Sequence, residues 1–284
     1  MGLFAIGVLV VLISGGIDIS FTAIAAFSLY VTNMILLATQ ITDSVWLAFM
    51  LAGFIGLLLG LFNAIFIAHF QLPTLIVTLG TASVFRGFML AFVGTAIINN
   101  LPECLVQFSK LTLFEKTLQT GETIGLSFSI FILIFFIGLS WILLRFTMVG
   151  RGIYAMGGDR VAAQRAGFSL TALQYFIYGF VGLLAGIAGI IHAVMMRNAN
   201  PFDLVGTELV VIAAVVLGGA SITGGKGTIT GTVLGVLLLV IINNSLILLD
   251  IPSYWQRVAI GLIIIISTAI TVQRNVKQRR GAVI

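Results

Sequence analysis

Charge is what this chain has least of. Lys, Arg, Asp and Glu make up 8% of its 284 residues, where a soluble domain carries about a quarter. Hydrophobic residues reach 60%, which excludes an ordinary soluble domain and predicts a polytopic membrane protein with one integral domain. A single cysteine, Cys104, excludes an internal disulfide. The two histidines, His69 and His192, lie far apart, and no Cys/His cluster accompanies them. Neither a metal nor any other cofactor is therefore indicated. No two carboxylates share a helix face within an apolar run, so no catalytic constellation is visible and a proton relay lacks its acids. Basic residues interleaved with aromatics on a soluble face are also missing. The isoelectric point near 9.7 thus points to membrane edges and not to nucleic acid.

What is present is a succession of apolar runs. A spanning helix needs about twenty residues, and the runs at 1–13, 21–39, 45–69, 74–98, 125–144, 172–196, 206–217, 228–249 and 255–272 give about nine transmembrane segments. The expected class is an all-α polytopic membrane protein, one domain over residues 1–284. The first run, Met1–Ile13, is too short to span and lacks the positive flank of a signal peptide. That short run and the odd number of spans predict roughly forty further residues upstream, containing about one span. Ser14–Ser20 is a break, with Asp18 and Ser20 suited to cap the helix that follows. Gln71–Pro73 is a tight turn and Asn99–Thr123 a polar loop. Gly53, Gly56 and Gly60, with the pairs Gly182/Gly186 and Gly231/Gly235, predict close helix approach.

The stretch Arg145–Thr171 is the polar interruption with a one-sided charge. Arg145, Arg151, Arg160 and Arg165 stand against the single acid Asp159. Arginines in a short loop hold it on the cytoplasmic side. With this loop inside, the C-terminal tail (Arg274, Lys277, Arg279, Arg280), Lys226 and His69 also fall inside. Lys110, Lys116 and Arg197 fall outside, as do all nine acids except Asp18 and Asp159. One orientation therefore suits every loop. Within the loop, Gly157-Gly158-Asp159 reads as a turn and helix start, Asp159 as the cap of a helix from Arg160 to Ala166, and Gly167 as its stop. Two readings follow: a docking handle on linkers, or a solvated connector with anchoring arginines.

Polar groups inside the spans are few. Arg86 is the one mid-span charge, either functional or bound to helix-end carbonyls, with Asn63 a candidate partner. Asn33, Asn63, Asn243 and Asn244 either face a polar pathway or hold helices together. His69 reads as interfacial and His192 as a hydrogen-bonded bundle residue; Glu208 and Asp18 lie near span ends. The glycine-rich 218–227 segment is not a phosphate loop: Ala220 stands where its first glycine belongs and Gly227 where its Ser/Thr belongs. A tight or re-entrant turn is expected there.

Five stretches in order carry a resemblance. They are Ser14–Ser20 (SGGIDIS), Leu72–Thr81 (LPTLIVTLGT) with Arg86-Gly87, Gly150–Asp159 (GRGIYAMGGD) with Ala166-Gly167, Val216–Ala220 (VLGGA) with Gly224-Gly225 and Gly227-Thr228, and Asn243-Asn244. Together they resemble the membrane permeases of bacterial ABC sugar importers, above all the ribose, simple-sugar and autoinducer-2 permeases. Branched-chain amino acid permeases share the architecture. The resemblance implies a type II importer-like bundle, ten spans in the family, and a bacterial inner-membrane location with a cytoplasmic C-terminus. It implies a coupling loop at 145–171 and a periplasmic loop at 99–123. Gly157, Gly158, Asp159, Arg160, Ala162, Ala163, Arg165, Ala166 and Gly167 would dock a separate ATPase subunit. The other implied partners are a periplasmic or lipid-tethered sugar-binding protein and a second permease, identical or related. The function expected is passage of a sugar or sugar-like solute inward, with no enzymatic activity in this subunit. The alternatives are a branched-chain amino acid permease, a secondary transporter or channel working alone, and a membrane protein of assembly or signalling.

Overall fold

The computed structural model describes residues 1–41, 43–117, 123–252, 254–256, 258–263 and 265. Its helices are α1 (Gly2–Ile13), α2 (Phe21–Thr39), α3 (Val45–Ala64), α4 (Thr74–Phe88), α5 (Glu103–Lys110), α6 (Ser129–Phe146), α7 (Met148–Gly158), α8 (Arg160–Arg165), α9 (Leu170–Met196), α10 (Glu208–Leu217) and α11 (Ile229–Leu248). Wider π-helical turns extend α3 through Ile65–His69 and α4 through Met89–Val93. Among the described residues, six helices are long and apolar enough to cross a membrane: α2, α3 and α4 with their extensions, α6, α9 and α11. Two more, α1 and α10, are apolar but shorter. The chain is a multi-pass membrane protein. Of the segment expected at Trp255–Val272, only 255–256, 258–263 and 265 are described; the C-terminal arginines and lysine lie outside the described residues.

α1 sits at the centre. Every residue from Leu3 to Ile13 is buried, as befits a helix that is apolar on all sides. It packs against α6, α7, α9, α10 and α11. By contrast α3, α6 and α11 turn large apolar side chains outward, among them Phe54, Phe135 and Ile241, which suits helices whose outer solvent is lipid. Glycines set the closest helix contacts. A methyl group at Gly56 or Gly60 of α3 would strike the carbonyl of Gly182 or Tyr178 in α9, and one at Gly186 would strike Ala52. Gly231 and Gly235 of α11 meet Gly218 and Ala214 in the same manner. Both expected glycine pairs are therefore packing faces.

Three expectations need correction. The polar region 99–123 is more than a loop: α5 folds there, and strands β1 (Thr112–Thr117) and β2 (Thr123–Ser127) pair antiparallel with Thr117 opposite Thr123. The chain is thus not wholly α-helical. The following span starts at Ser129 and not Gly125 because TIGLS, rich in β-branched and hydroxyl residues, is used as strand. Likewise α4 and its extension end at Val93, short of Ile98, where the chain leaves the helix to bridge Ala199.

Candidate functional site

Two polar clusters lie buried where α2 begins. In the first, the Asp18 carboxylate accepts from the Ser20 backbone N–H at 2.7 Å and from the Ser20 hydroxyl at 2.6 Å. The Asn63 side-chain amide of α3 donates to the same hydroxyl at 2.7 Å. The break itself is held to α4: the N–H of Ile17 donates to Thr74 Oγ1 at 3.1 Å and that of Ile19 to Thr78 Oγ1 at 3.3 Å. The Tyr178 hydroxyl of α9 reaches the same place, close to Gly16, where a methyl group would lie 2.9 Å from it. A helix broken at SGGIDIS exposes backbone groups that lipid cannot satisfy, so the break must bury itself in polar company. Asp18, Ser20 and Asn63 supply it.

The second cluster begins two residues on. The Thr22 hydroxyl donates to Glu208 Oε1 at 2.6 Å and accepts from the Arg86 guanidinium at 3.0 Å. Arg86 and Glu208 form an ion pair, the glutamate side chain 7% exposed and the arginine 28%. The triad ties α2, α4 and the first turn of α10 together. An arginine at this depth is tolerable only when it is paired and faces protein or water.

At one end of the bundle, α6 passes through Thr147 into α7 and then α8. The Thr147 hydroxyl caps α7 by accepting from the N–H of Gly150 at 3.1 Å. Asp159 caps α8, its Oδ1 accepting from Val161 N–H at 2.8 Å and Ala162 N–H at 3.0 Å. Gly167, with φ of +88°, stops the helix in a left-handed conformation. α8 is exposed along most of its surface; Val161 is 57% exposed, while Ala163 faces inward at 2%. The Tyr154 hydroxyl of α7 donates to the Gly227 carbonyl at 2.7 Å. Burial pushes that phenol above its ordinary pKa, so it stays a donor.

Over residues 1–268 the chain matches the family model described as branched-chain amino acid transport system / permease component. The chain belongs to this permease family. Among curated proteins, it is 36% identical to the ribose import permease protein RbsC of Bacillus subtilis, over 94% of this chain and 79% of that one. It is 31% identical to RbsC of Haemophilus influenzae, over 93% of this chain and 79% of that one. Against the autoinducer 2 import system permease protein LsrC of Escherichia coli (strain HS) it is 34% identical, over 93% of this chain and 73% of that one. No solved structure matches the chain.

In this permease the residues singled out in the sequence fall into separate places. Arg86 does not meet Asn63; its partner is Glu208. Asn63 binds Ser20 instead. Asn33 is fully buried and gives its amide to the Leu29 carbonyl one turn back at 2.7 Å, so it belongs to the bundle interior. Asn244, by contrast, is exposed on α11 and Asn243 half-buried, both remote in the chain from these clusters. His192 is hydrogen-bonded, its Nε2 lying 3.1 Å from the Asp203 carboxylate. Gly157 and Gly158 are the last residues of helix α7 and not a turn, so α8 hangs from a helix and not from a linker. Ala163 is turned into the protein. Thr22 and Val161 are not among the residues singled out in the sequence, and Glu208 is placed there only near a span end. Glu208 carried a signal, being an acid inside an apolar segment; Thr22 and Val161 carried none.

Proposed function

We propose that this chain is the membrane-spanning permease subunit of an ATP-binding-cassette importer that passes a sugar or sugar-like solute from a periplasmic binding protein into the bacterial cytoplasm. The observation that carries this reading is the pairing of membership in a transport-permease family with relatives named for ribose and autoinducer 2, at 30% identity or more over nearly the whole chain. The family description names branched-chain amino acids, but the similarity to named sugar permeases is the more specific guide. In this reading ATP is hydrolysed by a separate subunit, and two permease chains form the pathway in a type II-like arrangement. The eight apolar helices described here and a last segment from Trp255 make up nine spans or part-spans.

The same reading makes the 145–171 region a cytoplasmic coupling loop, the C-terminal tail cytoplasmic and the 99–123 region periplasmic. α8 is the handle: a capped, exposed helix whose Val161, Ala162, Arg165 and Ala166 form a small, partly apolar surface fit for an ATPase groove. Asp159 and Gly167 fix its ends, and Arg160 adds charge at its start. Arg86 with Glu208, and Asn63 with Ser20, organise the core beside the pathway.

The test is reconstitution. Permease, ATPase and binding protein in liposomes should take up ribose only with internal or external ATP on the ATPase side, and not in response to an ion gradient. Gradient-driven uptake by the permease alone would instead support a secondary transporter.

A further inference from the structure

α7 ends against the membrane core with no side chain between them. A methyl group at Gly157, in the last turn of α7, would fall on the carbonyl oxygen of Ile13, the last residue of α1, and 2.6 Å from the N–H nitrogen of Gly225. That same N–H donates to the Ile13 carbonyl at 2.8 Å. At Gly224 a methyl group would lie 2.6 Å from the Gly157 carbonyl oxygen and 2.8 Å from the Cα of Gly15. Gly15, Gly224 and Gly225 all have positive φ, at +82°, +91° and +71°, a conformation that glycine adopts without strain. Three segments distant in the chain therefore meet backbone to backbone: the end of α1, the end of α7 and the turn between α10 and α11. The Tyr154 hydroxyl bond to the Gly227 carbonyl, at 2.7 Å, is a second tie between α7 and that turn.

The joint has a free side and a deep side. On the free side, Asp159 follows Gly158 directly and caps α8, so the exposed helix continues from α7 without a linker. On the deep side, Ile13 leads into the Ser14–Ser20 break, whose Ile17 and Ile19 N–H groups are bonded to Thr74 and Thr78 of α4. α4 carries Arg86. Backbone packed on backbone transmits displacement with little slack, since there is no rotamer to absorb it.

We infer that Gly157 is the positioning residue through which movement of α8 reaches the α1–α2 break and α4, so that the glycine joint couples the ATPase to the transport pathway. This rests on α8 being the ATPase handle. Widening the joint by one methyl should leave α8 exposed and able to bind, yet loosen what it pushes against. Gly138 of α6 supplies an internal control, because a methyl group there meets nothing within 4 Å.

The experiment uses the permease purified from its native membrane with its ATPase attached. Cys104 is replaced by Ala, and Phe92→Cys, at the far end of α4 and 78% exposed, reports conformation through its rate of maleimide labelling with and without ATP and vanadate. The parent complex should show a nucleotide-dependent change in rate. In Gly157→Ala the ATPase should co-purify as before, while the labelling change shrinks about fivefold, the scale of effect seen for residues within a coupling network. Gly138→Ala should match the parent. If Gly157→Ala fails to fold, Tyr154→Phe decides: it deletes one hydroxyl tie, and should reduce the labelling change about twofold with binding intact. A full nucleotide response in Gly157→Ala, or in Tyr154→Phe where that variant must serve, overturns the inference. Absence of any ATPase from the parent complex overturns the handle reading and this inference with it, whereas loss of ATPase binding in Gly157→Ala overturns this inference alone.

Discussion

Arg86 and Glu208 are the two ends of a charge pair that neither residue could keep alone. With Thr22 bridging them, the carboxylate accepts from the Thr22 hydroxyl and from the guanidinium. Removing one partner strands the other in a site built for a pair, which costs about 3–5 kcal/mol, whereas replacing both by apolar groups of similar size is often close to neutral. Arg86→Leu and Glu208→Leu should each lower the yield and melting temperature of detergent-purified permease. The double variant Arg86→Leu/Glu208→Leu should recover most of the loss. Its transport activity separates two roles: recovered stability with lost uptake makes the charges functional, and recovery of both makes them only a brace. A double variant no more stable than either single one would show that the pair is not the source of the effect. Arg86 was visible in the sequence because a mid-span charge is rare. Its partner was not, because Glu208 is 122 residues away and stands at the start of a helix only ten residues long, where an acid reads as a span end. Pairing across that distance is a property of packing, and periodicity carries no record of it.

At the scale of single elements, α8 and its mooring give the sharpest contrast. Asp159 and Gly167 were readable as cap and stop because helix ends have local chemistry: two orphan N–H groups to satisfy and a left-handed residue to place. The bonds to Val161 and Ala162 and the φ of Gly167 follow that reading. α7 was not readable, since MVGRGIYAMGG contains four glycines and glycine is about 1 kcal/mol poorer than alanine inside a helix. Contacts with α6, α1 and α9 outweigh that propensity. The hairpin β1–β2 was missed for a similar reason: its strands are short, and the second runs straight into the apolar residues of α6. For α8 the structure separates two neighbouring alanines. Ala162 is exposed and Ala163 is buried at 2%. Ala162→Glu should leave the permease folded and abolish ATPase co-purification, because an unpaired carboxylate is costly in a desolvated interface. Ala163→Glu should instead lower folded yield, because the charge is driven into the permease itself. Asp159→Ala should weaken ATPase pull-down without abolishing it, losing a cap worth about 1 kcal/mol. Full ATPase binding by Ala162→Glu would remove α8 from the interface. The α3–α9 contact makes a separate prediction: Gly182→Leu places a side chain where the Gly56 carbonyl already sits. It should destabilise the bundle by several kcal/mol, as overpacking of about 1–3 kcal/mol per site is compounded by separation of two long helices. Thermal denaturation of the purified protein reads this directly.

For the whole molecule the governing asymmetry is charge. α6 joins the β hairpin to α7, and its 18 residues rise about 27 Å at 1.5 Å per residue, close to the thickness of a bilayer core. The hairpin and the α7–α8 unit are therefore expected on opposite faces of the membrane. The α7–α8 side carries Arg145, Arg151, Arg160 and Arg165, and the glycine turn packed beneath it carries Lys226. The hairpin side mixes acids with Lys110 and Lys116. Since loops rich in Lys and Arg stay in the cytoplasm, α8 is expected inside and β1 outside. Single cysteines test this in a Cys104→Ala background. The native thiol is buried, and burial pushes its pKa up, so its removal costs little chemistry. Phe114→Cys, on β1 and 77% exposed, should react with a membrane-impermeant maleimide added to intact cells after outer-membrane permeabilisation. Val161→Cys, on α8 and 57% exposed, should react only in inverted vesicles or after detergent. The opposite pattern would invert the bundle and put α8 out of reach of any cytoplasmic ATPase. Labelling of both from the same side would mean that α6 does not cross the membrane. The expected pattern, combined with loss of Val161→Cys labelling when the ATPase is bound, would place the handle on the correct face and beneath its partner in one measurement.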